Sequence, residues 1–317
     1  MKINDFTNDN LIEKNVLYYI DSRKEGNTII QFAACNNKIL KYSNEWLYLI
    51  TDYFNPNNLN SVYQRILNYQ YIIFKKNIDQ EINKKVIPFI TSFSNGTVHG
   101  YSGLYYILLQ YINNYEKYKE YYIIVYENSQ KGILDIINNA IEKNFINKKK
   151  VIFISDNTLY LFDEIYIIPN MEHNIFSSSK LKINVNNYIS KNLISECYNN
   201  NYGEKIALLK LSNSENNTNS GIISNYDAKL LAINYKILDL NIINNEIELI
   251  NIIYNCTEFL TSWGTSLMKN FVYISDKCKK ITVIVKGVDF INQYNLIKNK
   301  EHTLKFKNAN IEYIIIN

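Results

Sequence analysis

The chain contains few of the cysteine and histidine residues from which metal sites and disulfide frameworks are built. Its 317 residues include only four cysteines and three histidines, and neither type forms a cluster. No two cysteines form a CxxC pair, which excludes a disulfide framework and a zinc knuckle. The HExxH, DxD, GxxxxGK(S/T) and GxGxxG patterns are also absent, so the sequence predicts no metal site, no P-loop and no Rossmann-type NAD site.

Long apolar runs are missing as well. No uninterrupted run approaches the roughly 20 residues that a membrane span needs, and the polar start MKINDFTNDNLIEKN has no signal-peptide core. We therefore expect no membrane span and a cytoplasmic location, which would be the host cytoplasm for a viral protein. The net charge of +4 is too small to indicate nucleic acid as a partner.

The residues that are present indicate a folded protein. Hydrophobic residues make up 47% of the chain and charged residues 20%, which is enough apolar surface for a real core. At roughly 150 residues per domain, the length suits two domains. The 28 tyrosines, among many Asn, Ile and Lys residues, are typical of an AT-rich genome such as that of a low-GC bacterium or a large DNA virus.

The order of predicted elements begins with short strands and continues with an alternation of helix and strand. This alternation is typical of a parallel doubly wound sheet. The predicted strands of this half are 28–32, 45–50, 71–74, 86–90, 121–126, 151–154 and 159–168, and the predicted helices are 104–115 and 129–143, the second with Ser129 as N-cap.

A second alternation follows an irregular stretch. Its predicted strands are 206–211, 236–240, 258–262 and 281–285, and the predicted helices are 185–197, 225–234, 245–254 and 265–271. We therefore expect an N-terminal domain at 1–175, a linker at 176–204 and a C-terminal Rossmann-like domain at 205–317, whose tail is free to return to the N-terminal domain.

A glycine between a predicted strand and a predicted helix gives the first candidate site. Ser262 ends the strand, and Gly264, Thr265 and Ser266 follow at the start of the helix. Gly264 has no Cβ, so a ligand can approach the backbone closely. The amides of Thr265 and Ser266 at a helix N-terminus favour an anion. We interpret this segment as a phosphate-binding turn, and an ordinary capped turn is the alternative.

A histidine in a glycine-rich segment gives the second candidate. His99 stands between Gly96 and Gly100, after a predicted strand and before an apolar helix. A histidine there can act as a general base near neutral pH. A structural histidine held in a turn is the alternative.

Lys210 gives the third candidate. It ends the strand that opens the second alternation, where a cation can hold a diphosphate. The alternative is a solvated lysine, which is common in a chain so rich in lysine. The basic run at 148–150 is interpreted as a solvated loop rather than a nucleic-acid patch.

Four motifs in order resemble glycosyltransferase family 61 and the related capsular-polysaccharide-biosynthesis proteins. They are a histidine before an apolar helix, an aromatic and acidic strand that ends in proline, a strand that ends in a basic residue, and a final glycine block. In this chain they are Gly96-Thr97-Val98-His99 with the helix from Leu104, Tyr160 to Pro169, Ile206 to Lys210, and Cys256 to Phe271. The resemblance runs from about residue 86 to about residue 287.

The resemblance implies a GT-B-like α/β fold, with two Rossmann-like domains facing across a cleft and the donor bound mainly by the C-terminal one. It implies an inverting, metal-independent hexosyl- or pentosyltransferase. In that reaction His99 serves as base, Gly96, Gly100 and Tyr101 lie on the acceptor side, and Lys210 and the phosphate-binding turn hold the diphosphate. The expected partners are a nucleotide sugar and a glycan or glycoprotein acceptor, and no cofactor is expected.

Two alternatives stay open. A degenerate, non-catalytic member would bind a glycan or nucleotide as an assembly partner. Gly103 favours it, because the family often has an acidic residue at that position. A Rossmann-type methyltransferase would need a glycine-rich loop after the first strand of its sheet and an acidic residue at the end of the second, and neither is evident.

Overall fold

The fold is a mixed α/β arrangement with two sheets that contain parallel strands. The computed structural model describes residues 12–21, 30–35, 38–39, 76–90, 98–168, 179–194, 202–212, 222–243, 245–263, 270–286 and 309–316. The chain divides into two compact units, of which the first comprises Met1–Gln130 and Ala140–His173 and the second comprises Lys131–Asn139 and Asn174–Asn317. The strands predicted at 45–50 and 71–74 lie outside the described residues.

The first sheet has seven strands in the order β3-β2-β1-β7-β4-β5-β6. Their bounds are β1 Ile12–Asp21, β2 Ile30–Cys35, β3 Lys38–Ile39, β4 Gln80–Pro88, β5 Tyr122–Tyr126, β6 Val151–Ile154 and β7 Leu159–Tyr166. β4 is parallel to β5 and β7, and β5 is parallel to β6, as the alternation predicts. β1 is antiparallel to both β2 and β7, so the sheet is mixed rather than wholly parallel.

Residues 98–168 include the α-helices α1 Val98–Asn113, α2 Tyr115–Tyr118 and α3 Lys131–Glu142. Residues Lys131–Asn139 of α3 belong to the second unit. The prediction of Ser129 as the N-cap of α3 is wrong, because the helix begins two residues later. Ser129 is 6% exposed, and its Oγ has no hydrogen-bond partner in the described part of the chain. The apolar side of α3 is buried, as its periodicity predicts: Ile133, Ile136, Ile137 and Ala140 are almost fully covered.

One face of the first sheet forms a continuous core. Successive side chains of a strand point to opposite faces, and in β1 the alternate residues Val16, Tyr18 and Ile20 are apolar and buried. The buried members are Val16, Tyr18, Ile20, Ala33, Cys35, Val86, Ile90, Ile124, Tyr126, Ile154, Tyr160, Phe162, Ile165 and Ile167. Two aromatic contacts lie within it: the ring of Phe162 stacks on Tyr160 at 5.9 Å and meets Tyr18 edge-on at 6.1 Å.

The second sheet is wholly parallel. Its strand order is β10-β8-β11-β12-β13, with β9 paired to β8. The strands are β8 Lys205–Ser212, β9 Ile222–Ser224, β10 Lys236–Asp239, β11 Glu258–Ser262, β12 Lys280–Lys286 and β13 Asn310–Ile316, and the helices are α4 Ser179–Asn192, α5 Asn225–Leu231 and α6 Glu246–Asn255. β11 has the bounds that the sequence predicts. β13 is not predicted: residues 310–316 of the tail pair with β12 in this sheet.

The strand order of the second sheet creates a topological switch point. The chain runs from β8 outward to β10 and then returns past β8 to β11. This is the order of flavodoxin-like sheets, which bind ligands beyond the carboxyl ends of the strands on either side of the switch. Because crossovers between parallel strands are right-handed, α5 and α6 lie on opposite faces. α5 packs on the face that carries Ala207, Leu209, Leu260 and Ile284, here called the α5 face, and the other is the α6 face.

Charged side chains of alternating sign cross the amino edge of this sheet, here called the charge ladder. Lys205 of β8 pairs with Glu258 of β11 at 2.6 Å, and Lys280 of β12 pairs with Glu312 of β13 at 2.8 Å. Glu258 also lies in register with Lys280. The hydrogen bond from Lys205 lowers the pKa of Glu258, although burial opposes it.

Candidate functional site

The candidate site is the carboxyl edge of the second sheet at the switch point. β8 pairs with β11 only as far as Leu208 with Thr261. Beyond that, Lys210, Leu211 and Ser212 pair with β9 instead. The carboxyl ends of β8 and β11 therefore separate at this edge, which is the geometry that leaves a crevice in doubly wound sheets.

Lys210 and Ser262 lie at this edge on neighbouring strands, but their side chains point to opposite faces. Lys210 comes two residues after Leu208, so alternation places it on the α6 face together with Thr261. Ser262 comes two residues after Leu260 and lies on the α5 face. Lys210 is exposed, whereas Ser262 is fully buried. The structure thus brings the two backbones together and leaves Lys210 as the accessible charge.

An acidic residue that the sequence analysis missed lies beside them. Asp239 ends β10, and its Oδ1 accepts the N–H of Leu211 at 3.3 Å and the N–H of Asn241 at 2.9 Å. Asn241 Nδ2 donates to Leu211 O at 3.2 Å, so these bonds tie the carboxyl ends of β8 and β10 together. In nucleotide-binding doubly wound sheets, an acid at this end of the second strand accepts a ribose hydroxyl.

Two buried polar side chains of this region, one in β11 and one after it in sequence, have no hydrogen-bond partner in the described residues. Thr261 Oγ1 has none, and neither amide atom of Asn270 has one, although both residues are fully buried. Buried polar groups are normally hydrogen-bonded. Ser224 shows the usual case: its Oγ accepts the Asp227 N–H at 3.0 Å and donates to Asp227 Oδ2 at 2.8 Å, which caps α5.

The segment between β11 and β12 packs against the helices of the α6 face. Asn186 of α4 donates from Nδ2 to the carbonyls of Val272 and Ile274 at 3.0 and 3.3 Å. Tyr273 donates from Oη to Glu246 of α6 at 2.9 Å. These bonds fix a 3-10 turn at Phe271–Tyr273, directly after Asn270. The segment predicted to bind phosphate, Gly264, Thr265 and Ser266, lies outside the described residues.

In the first unit, the helix that carries His99 follows β4. α1 begins at Val98, so the backbone of His99 lies in its first turn; its side chain is outside the described residues. β4 borders β7 on one side and β5 on the other, which makes it the strand at the switch point of the parallel part of this sheet. Gly100 and Tyr101 are buried in α1, with Tyr101 only 3% exposed, so its ring belongs to the core. Gly96 lies outside the described residues.

A tyrosine cluster in the first unit is a second feature that the sequence analysis missed. Lys117 Nζ donates to Tyr166 Oη at 2.8 Å and lies 4.8 Å from the centre of that ring. Burial raises the pKa of Tyr166, but the hydrogen bonds from Lys117 and Tyr118 outweigh it and the pKa is lowered. Tyr121 donates from Oη to the buried carboxylate of Glu164. The cluster lies where β7 ends and β5 begins, and its rings are packed against one another, so we assign it to packing.

Comparison with known proteins does not identify a family for this chain. No family model matches it, and no curated protein matches it. Across the described ranges, no three His, Cys, Asp or Glu side chains come together as metal ligands would. No helix in the same ranges is long and apolar enough to cross a membrane.

Proposed function

We propose that the chain is an inverting, metal-independent glycosyltransferase that moves a sugar from a nucleotide-sugar donor to a glycan or protein-linked acceptor. The GT-B fold that the resemblance implies is part of the proposal. One observation carries it: the strand order of the second sheet makes β8 and β11 neighbours at a switch point, where their carboxyl ends separate. The two segments that the sequence selects for a donor diphosphate end or follow these strands.

In this proposal the second unit holds the nucleotide. The exposed ammonium of Lys210 neutralises charge on the diphosphate, and a charge-assisted hydrogen bond of this kind is about twice as strong as a neutral one. Asp239 accepts a ribose hydroxyl with its second carboxylate oxygen while Oδ1 keeps its bonds to Leu211 and Asn241. Ser262 is buried at the end of β11, and the segment with Gly264 follows it in sequence.

The first unit supplies the base in this proposal. His99 takes the proton of an acceptor hydroxyl as the oxygen attacks the anomeric carbon. The bond between that carbon and the diphosphate oxygen breaks on the opposite side, so the configuration inverts. The diphosphate leaves with its negative charge, which Lys210 and the backbone amides of the phosphate-binding turn stabilise.

A donor screen tests the proposal. We expect one class of nucleotide sugar to raise the melting temperature, because a ligand at 100 times its Kd adds about 2.7 kcal/mol to the free energy of unfolding. With glycan acceptors present, mass spectrometry should detect a glycosylated product and free nucleoside diphosphate. Nucleotide binding without either product would favour the non-catalytic alternative. Binding of a sulfonium methyl donor in place of nucleotide sugars would favour the methyltransferase.

Replacement of Lys210 by alanine is expected to weaken donor binding. Loss of one charge-assisted hydrogen bond costs about 1.5–3 kcal/mol, which corresponds to roughly a 10- to 100-fold increase in Kd. Lys236→Ala is the matched control, because Lys236 is also exposed but begins β10 at the opposite edge of the same sheet. Calorimetric titration should show the increase only for Lys210→Ala. Equal Kd values for the two variants would remove Lys210 from the site.

Transferase activity is expected to survive chelation. The proposed charge neutralisation uses Lys210 and backbone amides, so excess EDTA should leave the initial rate within about twofold of the untreated enzyme. The measurement is product formation after dialysis against EDTA, with and without added Mn²⁺. Loss of activity that Mn²⁺ restores would contradict the metal-independent mechanism.

A further inference from the structure

Two cysteines lie opposite each other where β11 and β12 begin. The register of these strands starts with Glu258 opposite Lys280. The N–H of Lys279 donates to the carbonyl of Thr257 at 2.7 Å, so the pairing extends one residue beyond the amino ends of both strands. Cys256 directly precedes Thr257, and Cys278 directly precedes Lys279. Neighbouring strands are about 4.8 Å apart, and a disulfide needs Cα atoms about 4.4–6.8 Å apart.

The thiols face each other in a closed environment. Cys256 is fully buried and Cys278 is 1% exposed, and both are free thiols. Cys256 Sγ donates to Ile253 O at 3.0 Å, and Cys278 Sγ donates to Lys280 O at 3.2 Å. The two thiols are also close enough to affect each other: their interaction, together with burial, raises the pKa of Cys256, and the same interaction lowers the pKa of Cys278. Cys278 is flanked by the exposed Lys277 and Lys279, and its lowered pKa makes it the more readily ionised thiol of the two.

We propose that Cys256 and Cys278 are a redox-modification site, at which a low-molecular-weight disulfide oxidises the pair to a reversible disulfide bond between β11 and β12. A buried cysteine is more often a small core residue, and Cys35 serves as such a residue in the first unit. The pair differs because each member lies two residues before the first paired residue of the adjacent strands β11 and β12, and because the two thiols influence each other. This inference does not depend on the proposed transferase function.

The chemistry proceeds in two exchanges. The thiolate of Cys278 attacks one sulfur of the low-molecular-weight disulfide; that S–S bond breaks, and the first thiolate leaves and takes up a proton. The Cys256 thiol then loses its proton to solvent and attacks the Cys278 sulfur, which releases the second small thiolate. The protein loses two electrons and two protons, and the oxidant becomes two thiols.

The bond would close a loop that contains one strand of the candidate site. Residues 257–277 include all of β11 and the Gly264 segment in sequence. A disulfide stabilises a protein mainly by restricting its unfolded chain, more so for longer loops. Oxidation should therefore raise the melting temperature of the full chain, and reduction by dithiothreitol should reverse the increase.

The test uses the full chain and oxidised glutathione as the probe. After incubation without denaturant, remaining thiols are alkylated and the digested protein is analysed by mass spectrometry. We expect a Cys256–Cys278 linked peptide, two fewer alkylated thiols and a higher melting temperature. Cys35→Ala should behave like the wild type. Cys256→Ala should instead retain glutathione on Cys278.

The wild-type result keeps the proposal falsifiable even if a cysteine variant fails to fold. If both thiols are still alkylated after oxidation, or if the linked peptides contain Cys35 in place of one of the pair, the inference is wrong. A linked peptide that forms only after the protein is unfolded in urea would also overturn it, because the native register would then not direct the bond.

Discussion

Replacing His99 with alanine is expected to reduce turnover by a factor of about 10² to 10⁴ while the Kd for the donor stays near the wild-type value. A general base acts on the acceptor hydroxyl in the transition state, and the donor is assigned to the second unit. An imidazole of ordinary pKa, about 6.5, is mostly neutral at physiological pH and can accept a proton. The backbone of His99 lies in the first turn of α1.

The measurement separates kcat from binding. Steady-state kinetics give the loss in turnover, and calorimetric titration gives the donor Kd of the same variant. His302→Ala is the matched control, since it removes a histidine outside the motif. Near-normal turnover in His99→Ala would make His99 a structural residue. A weaker donor Kd with unchanged turnover would place it on the nucleotide side of the reaction.

Truncation of a buried aromatic side chain in the first sheet is expected to lower the stability of the protein. Phe162→Ala is expected to lower the free energy of unfolding by about 3–5 kcal/mol, because it removes a fully buried ring and leaves a cavity. The lost contacts include the stacked ring of Tyr160 and the edge-on ring of Tyr18. Urea denaturation should show a lower midpoint for the transition of the first unit.

Phe153→Ala is the matched control for this prediction. Phe153 lies on β6 of the same sheet but is 54% exposed, so the same truncation should change the free energy of unfolding by no more than about 0.5 kcal/mol. Similar losses for both variants would show that the aromatic side chain affects strand formation rather than packing in the core.

The sequence predicts most elements of the second unit because their apolar runs are short and bounded. β11 is an apolar run flanked by polar residues, and its predicted bounds 258–262 are those observed. The start of α1 is predicted too late, at Leu104. Gly100 and Gly103 suggest a loop, but burial of Tyr101 and Leu104 outweighs the low helix propensity of glycine. β13 is missed because the sequence alone does not show that residues 310–316 pair with β12.

The candidate site depends on strand order, which no local pattern encodes. Lys210 is predicted because it ends a strand, and the structure adds that this strand borders the switch point. Asp239 is missed for the same reason. An acidic residue at a strand end can be recognised as a candidate ribose ligand only when the strand is known to be the second of its sheet. Likewise, the opposite faces of Lys210 and Ser262 follow from the register of β8 with β11.

The charge ladder at the amino edge has a consequence for how the strands find their neighbours. Each exposed ion pair adds only about 0–1 kcal/mol to stability. The signs nevertheless alternate through Lys205, Glu258, Lys280 and Glu312. With β8 beside β12 in the same register, two lysines would meet. With β11 beside β13, Glu258 would lie opposite Asn310 and near Glu312 instead of a lysine. Parallel strands have no tight turn that selects their partners, so this alternation penalises mispaired intermediates during folding.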